Sequence, residues 1–230
     1  MSDPIFYIVE LELPDSDLDS FLKWYSAVHT PHLYEAGFTV CTSYRAIAGA
    51  MSLVDIYQAP SWDLFESAAF ERYRQIAASD PHRPHYIGKN SNTRTPYHHV
   101  QWSHPPDPDI TRPLVTDWIT IWRFPADALT LDKVAAWLRD EGGAALRDRG
   151  AQYIRLLRKG KEAPTGRSIR PEAAIVLQWK SQPPMQAVDT ATLPAWFSHA
   201  INQSETFTGY RLYPWADDPA VKANYWTGRT

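Results

Sequence analysis

The chain has 230 residues, 44% of them hydrophobic, which is enough to bury a sizeable core as one large domain or two small packed ones. A net charge of −3 gives no basic footprint, so nucleic acid and anionic membrane surfaces are not expected partners. The single Cys41 excludes an intrachain disulfide, Met1 to Ile5 lacks a secretory pattern, and no apolar run approaches the ~20 residues of a membrane span, so a soluble cytoplasmic protein is expected.

Ile5–Leu13 reads as the first strand, with Tyr7, Val9, Leu11 and Leu13 on one face and Phe6, Ile8, Glu10 and Glu12 on the other. Pro14 ends it, and Asp15 or Ser16 can cap a helix carrying Leu18, Phe21, Leu22 and Tyr25 at helical spacing. Pro31 is expected to end or bend that helix near His29 or Thr30. Strands follow over Phe38–Ala46 and Met51–Gln58, turning at Gly49. A second helix starts at Pro60 and Ser61, with Trp62, Phe65, Ala69 and Tyr73 on one stripe. Ser79–Thr95 reads as loop and Pro96–His104 as the fourth strand.

A Pro-rich linker, 105–116, separates this unit, 1–104, from a second, 117–215. The second repeats the order: strand Asp117–Phe124, helix Thr130–Arg149 with Asp132 near its start, and strand Ala151–Arg158. A longer hairpin loop, Lys159–Pro171, leads to strand Glu172–Lys180, helix Leu193–Asn202 and strand Thr206–Pro214, and then a polar tail, 216–230. Leu18, Trp24, Gly37 and Arg45 recur as Leu131, Trp137, Gly150 and Arg158, always 113 residues on. A constant offset across helix, turn and strand indicates a duplicated unit. Where the first copy has Tyr25, His29 and His32, the second has Leu138, Gly142 and Ala145. The expected fold class is α+β, two tandem ferredoxin-like βαββαβ units. Their sheets are expected to stack into one α/β barrel with a cavity between them.

The run Trp24-Tyr25-Ser26-Ala27-Val28-His29-Thr30-Pro31, then Gly37-Phe38 and Ser43-Tyr44-Arg45, resembles a signature of the dimeric α/β-barrel superfamily, nearest to EthD-like and related uncharacterised proteins. Ser52–Tyr57 resembles their third strand, with its acidic residue near Asp55. The resemblance covers about the first 60 residues; the second half matches in layout and lacks the histidine. It implies a superfamily that includes cofactor-free monooxygenases, polyketide cyclases, isomerases, dehydratases and haem enzymes, so it does not decide the reaction.

His29 is the leading acid or base, with Tyr25 four residues before it. A position at a helix C-terminus would favour its protonated form; the plainer alternative is a His that hydrogen-bonds a carbonyl there. Asp55 either orients His29 from the cavity or pairs with Arg45 on the adjacent strand. Of His98 and His99, alternation turns one towards the barrel interior. Glu10 and Arg123, also 113 apart, are expected to form an ion pair between the halves. No zinc, dinucleotide, haem-attachment or nucleophile-elbow motif is present, so no metal or cofactor is expected. The thirty aromatic residues either fill the core or line a cavity for a flat ligand.

These readings converge on a cofactor-independent enzyme of lyase, cyclase or isomerase type acting on a small aromatic or polyketide-like compound. His29, Tyr25 and Asp55 are the expected catalytic residues, and His32, Tyr57, Trp24, Tyr44, His98, His99 and Trp102 the expected substrate contacts. A cofactor-free monooxygenase of phenols and a non-catalytic binding protein are the alternatives, and a homodimer is compatible with each.

Overall fold

The computed structural model describes residues 3–81, 83, 92–102, 114, 116–166, 168–183, 193–202 and 205–214, without the side chains of Asn92, Gln101, Trp102, His199 and Asn202. Most of the linker expected over 105–116 and the tail over 216–230 lie outside the described residues, as do His82, His85 and His104.

Strand β1 (Ile5–Leu11) is buried along its whole length because it is covered on both sides. Ile5, Tyr7, Val9 and Leu11 pack under helices, while Phe6 and Ile8 belong to a separate core. Helix α1 (Leu18–Trp24) passes without a break through a π turn (Tyr25–His29) into α2 (Thr30–Ala36). The stop expected at Pro31 therefore does not occur. Proline removes one N–H from the helical ladder, and here the Thr30 hydroxyl donates to the Ser26 carbonyl at 3.2 Å in compensation. The helix ends instead at Gly37, in the left-handed region at φ 105°.

Strands β2 (Val40–Gly49) and β3 (Leu53–Ala59) form the hairpin. The second helix starts later than its stripe implied, because Ser67 caps α3 (Ala68–Ser79) through the Phe70 N–H, after a 3-10 turn at Trp62–Glu66. Strand β4 (Asn92–Trp102) takes in residues expected as loop: Asn92 to Thr95 pair with β1. Pro96 is tolerated there because pairing with β6 begins only at Tyr97, so no ladder bond is lost.

The second half gives β5 (Trp118–Phe124), α4 (Ala128–Trp137), a π turn (Leu138–Gly142), α5 (Gly143–Asp148), β6 (Ala151–Lys159), β7 (Ala173–Trp179), α6 (Ala195–Asn202) and β8 (Glu205–Tyr213). Asp127 caps α4 by accepting from the Thr130 N–H at 2.8 Å, two residues before the expected start.

The eight strands close into one antiparallel barrel in the order β1-β3-β2-β8-β5-β7-β6-β4. Closure lies within a single chain, through β2 with β8 and β4 with β6. Among the described residues, side chains occupy the place of the chamber expected between the sheets. Phe6, Ile8, Val54, Ile121, Val176 and Phe207 are among the side chains that fill the barrel, since eight strands leave an interior just wide enough for side chains. At one end of that core Glu10 accepts from Arg123 and from Arg170, each at 2.7 Å, so the expected Glu10–Arg123 pair forms and gains a second arginine. The helices pack outside the barrel in two clusters, one over each half.

Candidate active site

The cavity that holds His29 lies outside the barrel, between its wall and the helices. The wall supplies Tyr7, Val9 and Leu11 from β1, Asp55 and Tyr57 from β3 and Arg94 from β4. The helical layer supplies Trp24, His29, Leu33, Phe70 and Tyr73, and Arg83 stands beyond α3. Thr165 arrives from the long hairpin loop of the second half. The enclosed volume is about 70 Å³.

The π turn sets the positions on the helix. It carries His29 over the sheet, where the Trp24 indole stacks on the imidazole at 4.5 Å between centroids, tilted by 23°. The indole is fixed in turn by an Nε1–H bond to Asp80 at 2.8 Å. His29 Nε2 stands 3.4 Å from the Tyr57 hydroxyl, which donates to Asp55 Oδ2 at 3.2 Å. Asp55 is 2% exposed. An imidazole, a phenol and a carboxyl group thus form a continuous chain.

Burial sets the protonation states. It holds the His29 imidazole down at about 3, with the nearby charges of Arg83, His32 and Arg94 adding to the effect and Asp80 opposing it. The helix-dipole argument for a protonated His29 fails because the helix does not end there. Burial also lifts the Asp55 carboxyl from 3.8 to about 7, against the stabilising Ser43 and Tyr57 hydroxyls. At neutral pH the site therefore holds a neutral imidazole and a carboxyl group poised to gain or lose a proton.

Of the expected residues, His29, Asp55, Tyr57 and Trp24 come together at the cavity. Tyr25 is adjacent to it but not part of its lining. It is fully buried, stacked on Phe21 at 5.2 Å and tilted against the His29 ring at 5.6 Å. Burial raises its phenol far above the ordinary value, so it remains a proton donor. His32, Tyr44, His98 and His99 do not line this cavity. His32 faces a separate cleft with Glu35 and Arg72, one residue position past the inward face of the helix. Tyr44 points into the filled barrel, since its strand register places it with the inward residues. His98 bonds to Asp3 at 2.7 Å, away from the cavity. His99 is the inward one of the pair, edge-on to Phe6 at 5.7 Å, and it borders a separate cleft of about 470 Å³ with Val100, Leu131, Asp132 and Arg158. The Trp102 side chain lies outside the described residues. Asp55 does not pair with Arg45, which instead binds Asp15 and the Leu13 carbonyl.

Sequence reasoning missed Tyr7, Tyr73, Arg83, Arg94 and Thr165. Arg94 was hidden by reading its segment as loop. Thr165 had a signal, the length of the second hairpin loop beside the short Gly49 turn. That loop reaches across the first half: Ala163 joins its core, Thr165 meets the Tyr7 hydroxyl, and Lys161 bonds Glu66 at 2.8 Å and lies 4.3 Å over Trp62.

The equivalent place in the second half is filled. A Cβ added at Gly142 would lie 2.3 Å from the Trp137 ring, so the indole occupies the space where His29 stands in the first half. Trp122, Phe124 and Phe197 pack around it.

No protein-family pattern matches the chain, and no curated protein is similar to it in sequence. Solved structures are similar in fold. An anthrone oxidase-like protein superposes with a TM-score of 0.59 at 13% identity, over 93% of this chain and 92% of its own. A candidate monooxygenase from Lactobacillus acidophilus NCFM gives 0.52 at 11% identity, over 91% and 94%. A candidate chlorite dismutase gives 0.52 at 12% identity, over 92% and 96%. The chain has the ferredoxin-like, dimeric α/β-barrel fold. The superfamily resemblance thus holds at the level of fold.

The haem that the resemblance allows does not fit this site. A cavity of about 70 Å³ is far below the ~300–1,000 Å³ of pockets for larger ligands. The matching space in the other half is taken by Trp137.

Proposed function

We propose that this chain is a cofactor-independent enzyme of lyase, cyclase or isomerase type that moves a proton on a small aromatic or polyketide-like compound held against His29. The chain His29–Tyr57–Asp55 within a ring-lined cavity carries this reading. A neutral imidazole takes a proton from the substrate. The Tyr57 hydroxyl can pass it to Asp55, whose pKa of about 7 allows it to hold and release a proton near neutrality. Tyr7 can also donate to an oxyanion that develops as the proton leaves. Stacking against Trp24 and the surrounding rings fixes a flat substrate and excludes water. The cavity of about 70 Å³ takes the reacting end of such a molecule, and a larger body requires the loop over Tyr7 to move aside.

The test is His29→Ala, assayed on phenolic compounds selected by thermal shift. The expected loss in kcat is about 10²–10⁴-fold, the usual range for a missing general acid–base. Ordinary turnover by the variant removes the role assigned to His29.

A second reading is supported by two of the fold relatives, one described as a candidate monooxygenase and one as anthrone oxidase-like. Proton removal by His29 would leave an electron-rich carbanion. Its reaction with dioxygen turns a CH₂ into C=O and releases one water. Consumption of one O₂ per product distinguishes this reading from the lyase, cyclase or isomerase reading.

Within the same proposal, the chain descends from a tandem duplication of an EthD-like unit, with units at 1–104 and 117–215. The π turns at Tyr25–His29 and Leu138–Gly142, which keep the 113-residue offset, support this. Among the described residues no helix is long and apolar enough to cross a membrane. The proposed setting is cytoplasmic. A homodimer is not needed to complete the site.

A further inference from the structure

The two halves treat one arginine differently. In the first half Arg45, on β2, reaches the connection between β1 and α1. There its Nη1–H donates to the Leu13 carbonyl at 2.9 Å and its Nη2 pairs with the Asp15 carboxylate. Arg158, on β6, is its counterpart 113 residues on. At the same offset Asp15 becomes Ala128, so the carboxylate is lost. Leu13, which is 2% exposed, becomes Ala126, so apolar volume is lost as well. Among the described residues the Arg158 guanidinium makes no hydrogen bond or ion pair. A cleft of about 470 Å³ stands at this place, within the ~300–1,000 Å³ usual for small-molecule sites. Val100, Ala126, Ala128 and Leu131 give it an apolar floor. Lys159 also borders it, and its ammonium donates to two backbone carbonyls, of Ser168 and Arg170, which leave its charge unneutralised. Asp132 and Glu172 are exposed at the edge, and neither pairs with Arg158.

We propose that this cleft binds a small monocarboxylic acid with an apolar body. The ligand supplies what the first half supplies for itself: a carboxylate in the place of Asp15 and an apolar group in the place of Leu13. The planar guanidinium of Arg158 holds both carboxylate oxygens through charge-assisted hydrogen bonds. The body covers the floor and removes apolar surface from water. Asp132 and Glu172 set the charge, because a second negative group on the ligand would meet them. An amide of the same shape leaves Arg158 without its charged acceptor. The cleft shares no lining residue with the His29 cavity, so the proposal stands apart from the reading of that cavity.

The probes are hexanoate and hexanamide, which share a shape and differ in charge, and acetate, which has the head without the body. Each is titrated into the protein by calorimetry at constant ionic strength. Hexanoate is expected to bind with a Kd of about 1 mM, and hexanamide and acetate about tenfold or more weakly. Arg158→Gln should weaken hexanoate about tenfold. Ala128→Asp gives this half the internal carboxylate of the other and should abolish hexanoate binding. An acidic residue is favourable in the first turn of a helix, so this variant is expected to fold. Equal affinity for hexanoate and hexanamide, or no hexanoate binding up to about 50 mM, overturns the proposal. So does unchanged hexanoate affinity in either folded variant. Hexanoate affinity lost in His29→Ala and kept in Arg158→Gln would place the acid in the other cavity, which also overturns it. If the Arg158 and Ala128 variants fail to fold, the comparison of probes on the native protein still decides.

Discussion

Replacing Asp55 with asparagine is expected to stabilise the protein, and by an amount that grows with pH. Asp55 is 2% exposed, and burial raises its carboxyl from 3.8 to about 7. Between those values the unfolded chain is ionised at this residue and the folded chain is not. Native stability therefore falls as pH rises from about 4 to about 7, by ~1.4 kcal/mol per unit. Over the interval of about three units the sum is about 4 kcal/mol, a large part of the ~5–15 kcal/mol that holds a typical domain together. Asparagine has the same shape and no proton to lose, and it can still accept from the Tyr57 hydroxyl. His29 is depressed to about 3, so it contributes in the opposite sense, with stability present above its unfolded value and lost as pH falls. That term is common to both proteins and cancels in their difference. The assay is urea unfolding of native protein and Asp55→Asn at about pH 4, 6 and 8. The stability gap should be small at the acid end, widen through neutrality and then level off. A gap that is flat across pH would show that Asp55 is not held protonated in the fold, and that burial does not tune it to exchange a proton with His29 near neutrality. Turnover by Asp55→Asn should fall while stability rises, which is the pattern of a group kept for function at a cost in stability.

Two further changes test the packing. Glu10→Gln removes the carboxylate shared by Arg123 and Arg170 in the barrel, where all three are at most 9% exposed, and should cost about 3–5 kcal/mol by urea unfolding. A loss below about 1 kcal/mol would mean that the cluster is hydrated rather than buried. Gly142→Ala sets two effects against each other: ~1 kcal/mol gained from helix propensity and ~1–3 kcal/mol lost from driving Cβ into the Trp137 ring. The clash should dominate, lowering Tm and altering the near-ultraviolet circular dichroism, and a rise in Tm would show that the indole can move.

The fold was largely legible because alternation and turn residues report directly on strands. Ile5 to Leu11 alternates, Gly37 and Gly49 mark turns, and both keep positive φ. The ion pair of Glu10 with Arg123 followed from the repeat offset alone. The site was legible in part. His29, Asp55, Tyr57 and Trp24 were named because a helix end and the strand facing it carry them, alongside Tyr25, His32, Tyr44, His98, His99 and Trp102. Their location was misjudged, since nothing in a linear pattern says which face of a barrel strand lies under helices and which faces a filled interior. Tyr44 and His99 failed for that reason. The π turn was invisible because it adds one residue without changing composition, and Pro31 pointed the other way. Arg83, Arg94 and Thr165 are brought in by tertiary contacts.

The two halves differ most where the helix crosses the sheet, and the difference explains how one cavity survives. Both have a tryptophan at the same place in the first helix and both continue into a π turn. In the first half the next turn carries an imidazole, which holds Trp24 as a stacked plate and keeps the indole off the backbone. In the second half the same position is Gly142, whose missing side chain lets Trp137 collapse onto the helix. A ring that props open a cavity in one context fills it in the other. The long loop of the second half then crosses over the first, placing Thr165 against Tyr7 and Lys161 over Trp62. The second half thus supplies part of the cover for its neighbour's cavity, and changes in loop 160–172 should alter access to His29 without touching the proton chain beneath it.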